Sequence, residues 1–242
     1  MSRPSLTRDV PVLTADQTTC AWQSASLLLG YPDQHLLDRL HLIRQASAAL
    51  PTRVGDLLQT CLEHVAATPL GELEADYVET FDNRRRNSLF LTYFAHGDTR
   101  KRGTALLRFK QTYLESGFEL AADELPDHLC VVLEYAATID GARGRTLLMD
   151  HRAGLELLRM SLTDGGSRWA GAVQAVCATF PPLRGDEVSA IRRLAAEGPP
   201  EEEVGLTPYA TPGFDPGPAP PGRSPVLLPT PSFPAPSRRG VR

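Results

Sequence analysis

Lysine is almost missing from this chain: of 25 basic residues only Lys101 and Lys110 are lysines, a bias of genome composition rather than of chemistry. A positive balance is missing too. The net charge of −4 argues against a nucleic-acid partner, because phosphate binding rests on a strongly basic field. No stretch approaches eighteen consecutive apolar residues, and Met1 to Thr19 lacks the apolar run of a signal peptide. A cytoplasmic protein with no direct membrane insertion is therefore expected. Cys20, Cys61, Cys130 and Cys177 stand far apart, none in a CxxC or Cys/His spacing, so neither a metal site nor a thioredoxin-like redox motif is expected. A Gly-rich phosphate loop is lacking, which leaves no motif for a bound cofactor. No run alternates with period two, so strand signals are absent.

What is present is helical. Between about Ala15 and Gly198 apolar residues recur at 3.6-residue spacing. One stripe is Leu36, Leu40, Ile43 and Leu50; another is Leu129, Val132, Leu133 and Ala136; a third is Trp169, Val173, Val176 and Phe180. Val188, Ile191, Leu194 and Ala195 repeat the theme, and Leu106–Phe109–Tyr113 runs beside a mostly apolar row of Leu107, Lys110 and Leu114. Gly30 closes a helix and Pro32-Asp33 opens the next; Asp98 reads as an N-cap; Gly117 and Gly141 follow helix ends. Pro126 reads as a first helical residue, with Asp127 at the positive end of the dipole. The expectation is an all-α fold: a flexible N-terminus over 1–15, one helical domain of roughly eight to ten helices over 16–198, and a disordered tail over 199–242. That tail holds 13 of the chain's 21 prolines and can sustain neither a helix nor a core.

The densest recognition chemistry lies between Asp76 and Gly103. It includes Tyr77, Phe81, Phe90, Tyr93 and Phe94, the triplet Arg84-Arg85-Arg86 and the triplet Arg100-Lys101-Arg102. Aromatics and arginine carry much of the binding energy at interfaces. The same residues inside a helix pair would be ordinary core, and Tyr77 and Phe81, four apart on a helix, must share one face. Charge is laid out in blocks. Residues 61–82 hold six carboxylates and no Lys or Arg, 83–110 hold eight Lys or Arg and one carboxylate, and 111–142 hold seven carboxylates and no Lys or Arg. The blocks either neutralise one another or leave an acidic rim that steers a basic segment toward the protein.

Two segments together resemble a known family. Tyr77-Val78-Glu79-Thr80-Phe81-Asp82 through Arg84-Arg85-Arg86, Ser88, Leu89, Leu91-Thr92-Tyr93-Phe94 and Gly97-Asp98-Thr99-Arg100 is similar to the signature of the respiratory nitrate reductase molybdenum cofactor assembly chaperones, or delta subunits. Glu124-Leu125-Pro126-Asp127-His128-Leu129 with Leu133-Glu134-Tyr135 resembles the Pro-Asp-His-Leu motif of these proteins and of the wider redox-enzyme maturation chaperones. Trp22 to Tyr31-Pro32 and Thr207-Pro208-Tyr209 to Thr211-Pro212-Gly213-Phe214 also fit, so the resemblance spans roughly residues 17–215.

The resemblance implies an all-helical protein that is not an enzyme. It implies binding to the apo catalytic (alpha) subunit of nitrate reductase through that subunit's N-terminal segment, until the bis-molybdopterin guanine dinucleotide cofactor has been inserted. Tyr77, Phe81, Tyr93 and Phe94 would then wall a groove for an amphipathic segment. Arg84, Arg85 and Arg86 would pair with its carboxylates or with the chain's own acidic blocks, and Pro126, Asp127 and His128 would supply polar contacts. The structural reading has Asp127 capping its own helix and His128 satisfied at a loop edge. The alternative function is a small helical enzyme using His128 and nearby carboxylates in acid/base work.

Overall fold

Thr14 opens the first helix with a reciprocal cap: its hydroxyl accepts from Gln17 N–H while the Gln17 side chain accepts from Thr14 N–H. The computed structural model describes residues 13–121 and 124–198. The tail at 199–242, and all of 1–15 except the three residues from Leu13 to Ala15, lie outside the described residues. The described residues fall within one compact unit.

The helices in order are α1 (Ala15–Leu29), α2 (Gln34–Ala48), α3 (Thr52–Ala67), α4 (Leu70–Tyr77), α5 (Tyr93–His96), α6 (Arg100–Glu115), α7 (Leu129–Thr138), α8 (Gly141–Asp150), α9 (Arg152–Asp164), α10 (Ala170–Ala178) and α11 (Gly185–Glu197). A π-turn over Val78–Asp82 follows α4, and a 3-10 turn over Arg85–Asn87 follows that. Among the described residues the only β-type pairing is an isolated bridge between Phe90 and His128. No described helix is long and apolar enough to cross a membrane.

α1 packs on α7, α10, α2 and α3; α10 lies on α3 and α9; α8 leans on α7; α11 rests chiefly on α9. Two glycines permit the tightest approaches. A Cβ at Gly171 in α10 would stand 2.3 Å from the Leu57 carbonyl oxygen in α3. One at Gly144 in α8 would stand 2.3 Å from the Ala136 Cβ in α7. The backbones touch because no side chain intervenes.

At the centre is Trp169, fully buried, with its indole N–H donating to Asp76 at 2.8 Å. The rings of Tyr77, Phe81 and His64 stand around it at 5.5, 5.9 and 5.5 Å, and the Tyr77 hydroxyl donates to the Leu29 carbonyl. Trp22, also buried, donates to Thr179 at 3.0 Å. The stripe at Trp169, Val173, Val176 and Phe180 is buried throughout, as is the α7 stripe. On α11 only Ile191 of the expected stripe is buried, and on α6 Leu107 and Leu114 are 64% and 60% exposed, the body taking Phe109 and Tyr113 instead.

Several helix boundaries differ from the sequence reading. Gly30 and Asp33 end and open helices as expected. Thr99, however, is the N-cap of α6, while Asp98 pairs with Arg102 at 3.1 Å. Gly141 is the first residue of α8, placed there because Asp140 accepts from Arg143 N–H. Pro126 is not a first helical residue: α7 begins at Leu129, after a turn that tertiary hydrogen bonds hold open.

Candidate functional site

The chain from Asn87 to Gly97 has little regular structure of its own, and side chains fix it. Asn87 is buried, donating to the Thr80 carbonyl at 2.8 Å and accepting from Ser161 at 2.6 Å. Leu89 O accepts from Leu129 N–H at 2.8 Å and Leu91 N–H donates to Asp127 O at 3.0 Å, which lays this strap along the 127–129 corner. Gly97, at φ 55, turns the strap into α6 in a conformation that L side chains rarely adopt.

Asp127 holds the strap from below. It is fully buried and accepts from both the hydroxyl and the backbone N–H of Thr92, at 2.5 and 3.2 Å. The Arg102 guanidinium lies 3.7 Å from the same carboxylate oxygen, donates from Nε to Thr92 Oγ1 at 3.2 Å, and sits over the Phe90 ring at 5.1 Å. Asp127 therefore does not cap α7, and its side chain does not reach the surface. Pro126 is buried beside it, its carbonyl accepting from Tyr113 at 2.6 Å.

His128 is the residue that caps. Its Nδ1 accepts from Cys130 N–H at 3.3 Å, so in the neutral ring the proton sits on Nε2. Its ring meets Phe90 edge to face at 5.2 Å. Burial holds the His128 pKa below 6.5, against the opposite pull of Asp127 and Asp82. His151 is likewise lowered by burial. Both rings take up a proton more readily unfolded than folded. Their contribution to stability is full above about pH 6.5 and is lost as pH falls below it. The unfolding midpoint is expected to drop between about pH 7.5 and about pH 5.5. His128→Asn, which keeps an N-capping acceptor, should flatten part of that drop in a thermal melt series; an unchanged slope would mean the ring is not held neutral.

Two grooves flank the strap. The first, of about 450 Å³, has Phe90, His128, Leu125 and Val131 among its walls and Glu124 and Glu134 on its rim, with no Lys or Arg among its lining residues. The second, of about 790 Å³, lies among α5, α9 and α11, with Tyr93, Phe94, Leu157, Met160 and Leu194 as apolar lining and Arg85 and Arg86 at one side. Phe94 itself seats in α9 at Gly154, where a Cβ would come within 2.9 Å of its ring.

The candidate residues thus do not form one surface. Tyr77 and Phe81 belong to the core around Trp169. Arg84 pairs with Glu79 at 3.0 Å and edges a third, small polar cavity beside His64 and Asp76. Arg85, Tyr93 and Phe94 line the larger groove, and His128 lines the smaller. Phe90, Leu125 and Glu134 fall within segments that the sequence marks but not among its candidate site residues, while Val131 in one groove and Leu157 and Met160 in the other have no local pattern to mark them, since each groove is assembled from distant segments. The geometry offers little to acid/base catalysis: His128 Nδ1 is engaged by Cys130 N–H, Asp127 is turned to Thr92, and burial drives the Cys130 thiol up to about 12.

The sequence profile described as nitrate reductase delta subunit matches residues 47–175, which include the strap and the Asp127 corner but not α11. The nitrate reductase-like protein NarX of Mycobacterium tuberculosis is 41% identical over 172 residues, covering 71% of this chain and 26% of NarX. The chain thus spans about a quarter of that relative's length. The probable nitrate reductase molybdenum cofactor assembly chaperone NarJ of Bacillus subtilis is 30% identical over 163 residues, 66% of this chain and 87% of the relative. The nitrate reductase molybdenum cofactor assembly chaperone NarJ of Escherichia coli is 34% identical over 148 residues, 60% of this chain and 63% of the relative.

Proposed function

Since the chain belongs to the nitrate reductase delta subunit family, we propose that it is a molybdenum cofactor assembly chaperone acting on a nitrate reductase. In this reading it binds the apo catalytic subunit in the cytoplasm, through that subunit's N-terminal segment, and keeps it competent for cofactor insertion before membrane assembly. The observation that carries the reading is the smaller groove. An apolar trough beside Phe90 and His128, rimmed by Glu124 and Glu134 with no cation among its lining residues, suits an amphipathic segment whose apolar face is flanked by basic residues.

The chemistry is recognition without covalent change. Leu125, already 42% exposed, and Val131 offer apolar contact area to the client's anchors. The rim carboxylates speed the encounter and set register more than they add affinity. His128, protonated on Nε2, supplies one donor. The buried pair of Asp127 and Arg102 fixes Phe90 and His128 in place, so the wall is ready-formed and little ordering is required at binding.

The test is calorimetry and stopped-flow with a peptide copied from the N-terminus of the catalytic subunit of the same organism's nitrate reductase. Leu125→Lys is expected to weaken binding about tenfold or more, and Glu134→Lys to slow association. Raising salt from low to high should slow association while leaving dissociation nearly unchanged. Affinity that is indifferent to both substitutions would remove the client from this groove, and no binding at all would remove the N-terminal segment as the recognised element.

A further inference from the structure

Of the described helices, α11 buries the fewest residues. It is 13 residues long yet buries Ile191 alone, where even the eight-residue α4 buries Leu73 and Tyr77. Val188 and Leu194, on the same stripe, are only half-buried. Its packing is chiefly on α9 alone, whereas α10 is clasped by α1, α3 and α9. Burial is the main source of helix docking energy, so α11 has the weakest hold on the body. It also forms a wall: Leu194, Ala195 and Gly198 face Tyr93, Phe94, Leu157 and Met160 across the larger groove.

The link and the fastening of α11 are equally simple. Residues 181–184, which join it to α10, are all exposed, and Pro181 and Pro182 have no N–H with which to bond the body. One carboxylate then does two things. Glu187 Oε2 accepts from Arg184 N–H at 2.7 Å and so caps α11, while its Oε1 accepts from Arg152 of α9 at 2.9 Å. Arg152 is nearly buried, donates also to the Pro181 carbonyl and lies over the Phe180 ring at 5.7 Å. Its Nε is buried without a hydrogen-bond partner. The desolvation of this guanidinium offsets much of its attraction to Glu187, so closure is favoured by a small margin. When α11 moves away, water takes the place of the carboxylate and no charge is left orphaned.

We propose that α11 is a hinged lid that swings from α9 as one body about the link at 181–184, fastened and released at Glu187, while the remaining helices stay folded. Closed, it walls the larger groove; open, it removes that wall and returns Arg152 to water. Hinges of this kind are short element-terminal links that absorb the backbone change, and moving parts come from the least stable elements of a fold. The lid does not rest on the client reading of the smaller groove, whose lining includes no residue of α9 or α11.

The test is native-state hydrogen exchange on the full chain. Amides of 188–194 should share one opening rate and exchange about a hundredfold or more faster than those of α10, with little dependence on low urea because the opening exposes little surface. Glu187→Gln keeps an acceptor for Arg184 N–H, since glutamine also serves at this position of a capping box, but it brings no charge to Arg152. It should speed exchange at 188–194 about tenfold and leave α10 unchanged. Ile191→Ala, which removes the buried anchor, should do the same by an independent route. In a Met160→Trp background Glu187→Gln should move the added indole's emission to the red, as the wall beside it leaves. Exchange of α11 in step with α10 would make it part of one cooperative body. A rate that climbs steadily from 188 toward 197 would be fraying of a free end, and an effect of Glu187→Gln that reaches α10 would be a general loss of stability. Each of these overturns the lid, and an indole that does not respond overturns its place over the groove.

Discussion

Asp127→Ala is expected to cost about 3 kcal/mol of folding stability, well beyond the ~1 kcal/mol lost with a helix cap. The carboxylate is fully buried, holds the Thr92 hydroxyl and N–H, and lies 3.7 Å from an Arg102 side chain only 17% exposed. Removing it takes the acceptor from Thr92 and leaves a largely buried guanidinium with only the exposed Asp98 as counter-charge, which is the costly way to break such a pair. For a domain of this size the melting temperature should fall by about 6–12 °C. Arg102→Met in the same background should restore part of the loss, because the buried end of the guanidinium then leaves with the carboxylate it faced, Asp98 being exposed and able to turn to solvent. Urea unfolding of the two single variants and the double variant measures this. A loss near 1 kcal/mol with no recovery in the double variant would return Asp127 to a capping role.

Gly171→Val is expected to be comparably damaging, at about 3 kcal/mol, with the unfolding midpoint falling accordingly. The added Cβ meets a backbone oxygen, that of Leu57 at 2.3 Å, and a carbonyl in the middle of α3 cannot rotate aside as a side-chain end would. The helices must separate, and Val54, Leu58 and Cys61 on the α3 side lose contact with a core they now fill completely. Gly103→Ala in α6, where nothing stands within 4 Å, should instead gain about 0.5–1 kcal/mol. Thermal melts of the two variants should shift in opposite directions. A mild effect at Gly171 would show that α3 and α10 can slide apart freely.

The helical class was legible because burial imposes a 3.6-residue period, and Trp169, Val173, Val176 and Phe180 carry that period undiluted. The row of Leu107 and Leu114 carries it too yet stays in solvent, since a stripe records amphipathicity and not which helix comes to cover it. Boundaries failed where tertiary bonds outbid local signals. Pro126 and Asp127 look like a helix start, but the corner is drawn into a pairing with 89–91 that lies far away in sequence. Gly141 looks like a terminator, and the Asp140 side chain one residue earlier makes it a beginning.

The candidate site was legible only as a region. Tyr77, Phe81, Tyr93 and Phe94 have the same composition whether they face a partner or a core, and Trp169, nearly a hundred residues downstream, decides the matter for the first two. The acidic block at 111–142 did foreshadow the rim of the smaller groove through Glu124 and Glu134. The apolar walls could not be foreseen, because Phe90 joins Leu125 and Val131 only once the strap is fastened to the corner.

The two tryptophans give the molecule a built-in optical division of labour. Trp22 and Trp169 are both in the core, hydrogen-bonded to Thr179 and Asp76, and neither lines either groove. Their emission therefore follows melting of the body while staying nearly silent to anything seated in the grooves. A single indole introduced at exposed Leu125 or Met160 would add a second colour of information, reporting occupancy at one groove at a time against an unchanging internal reference.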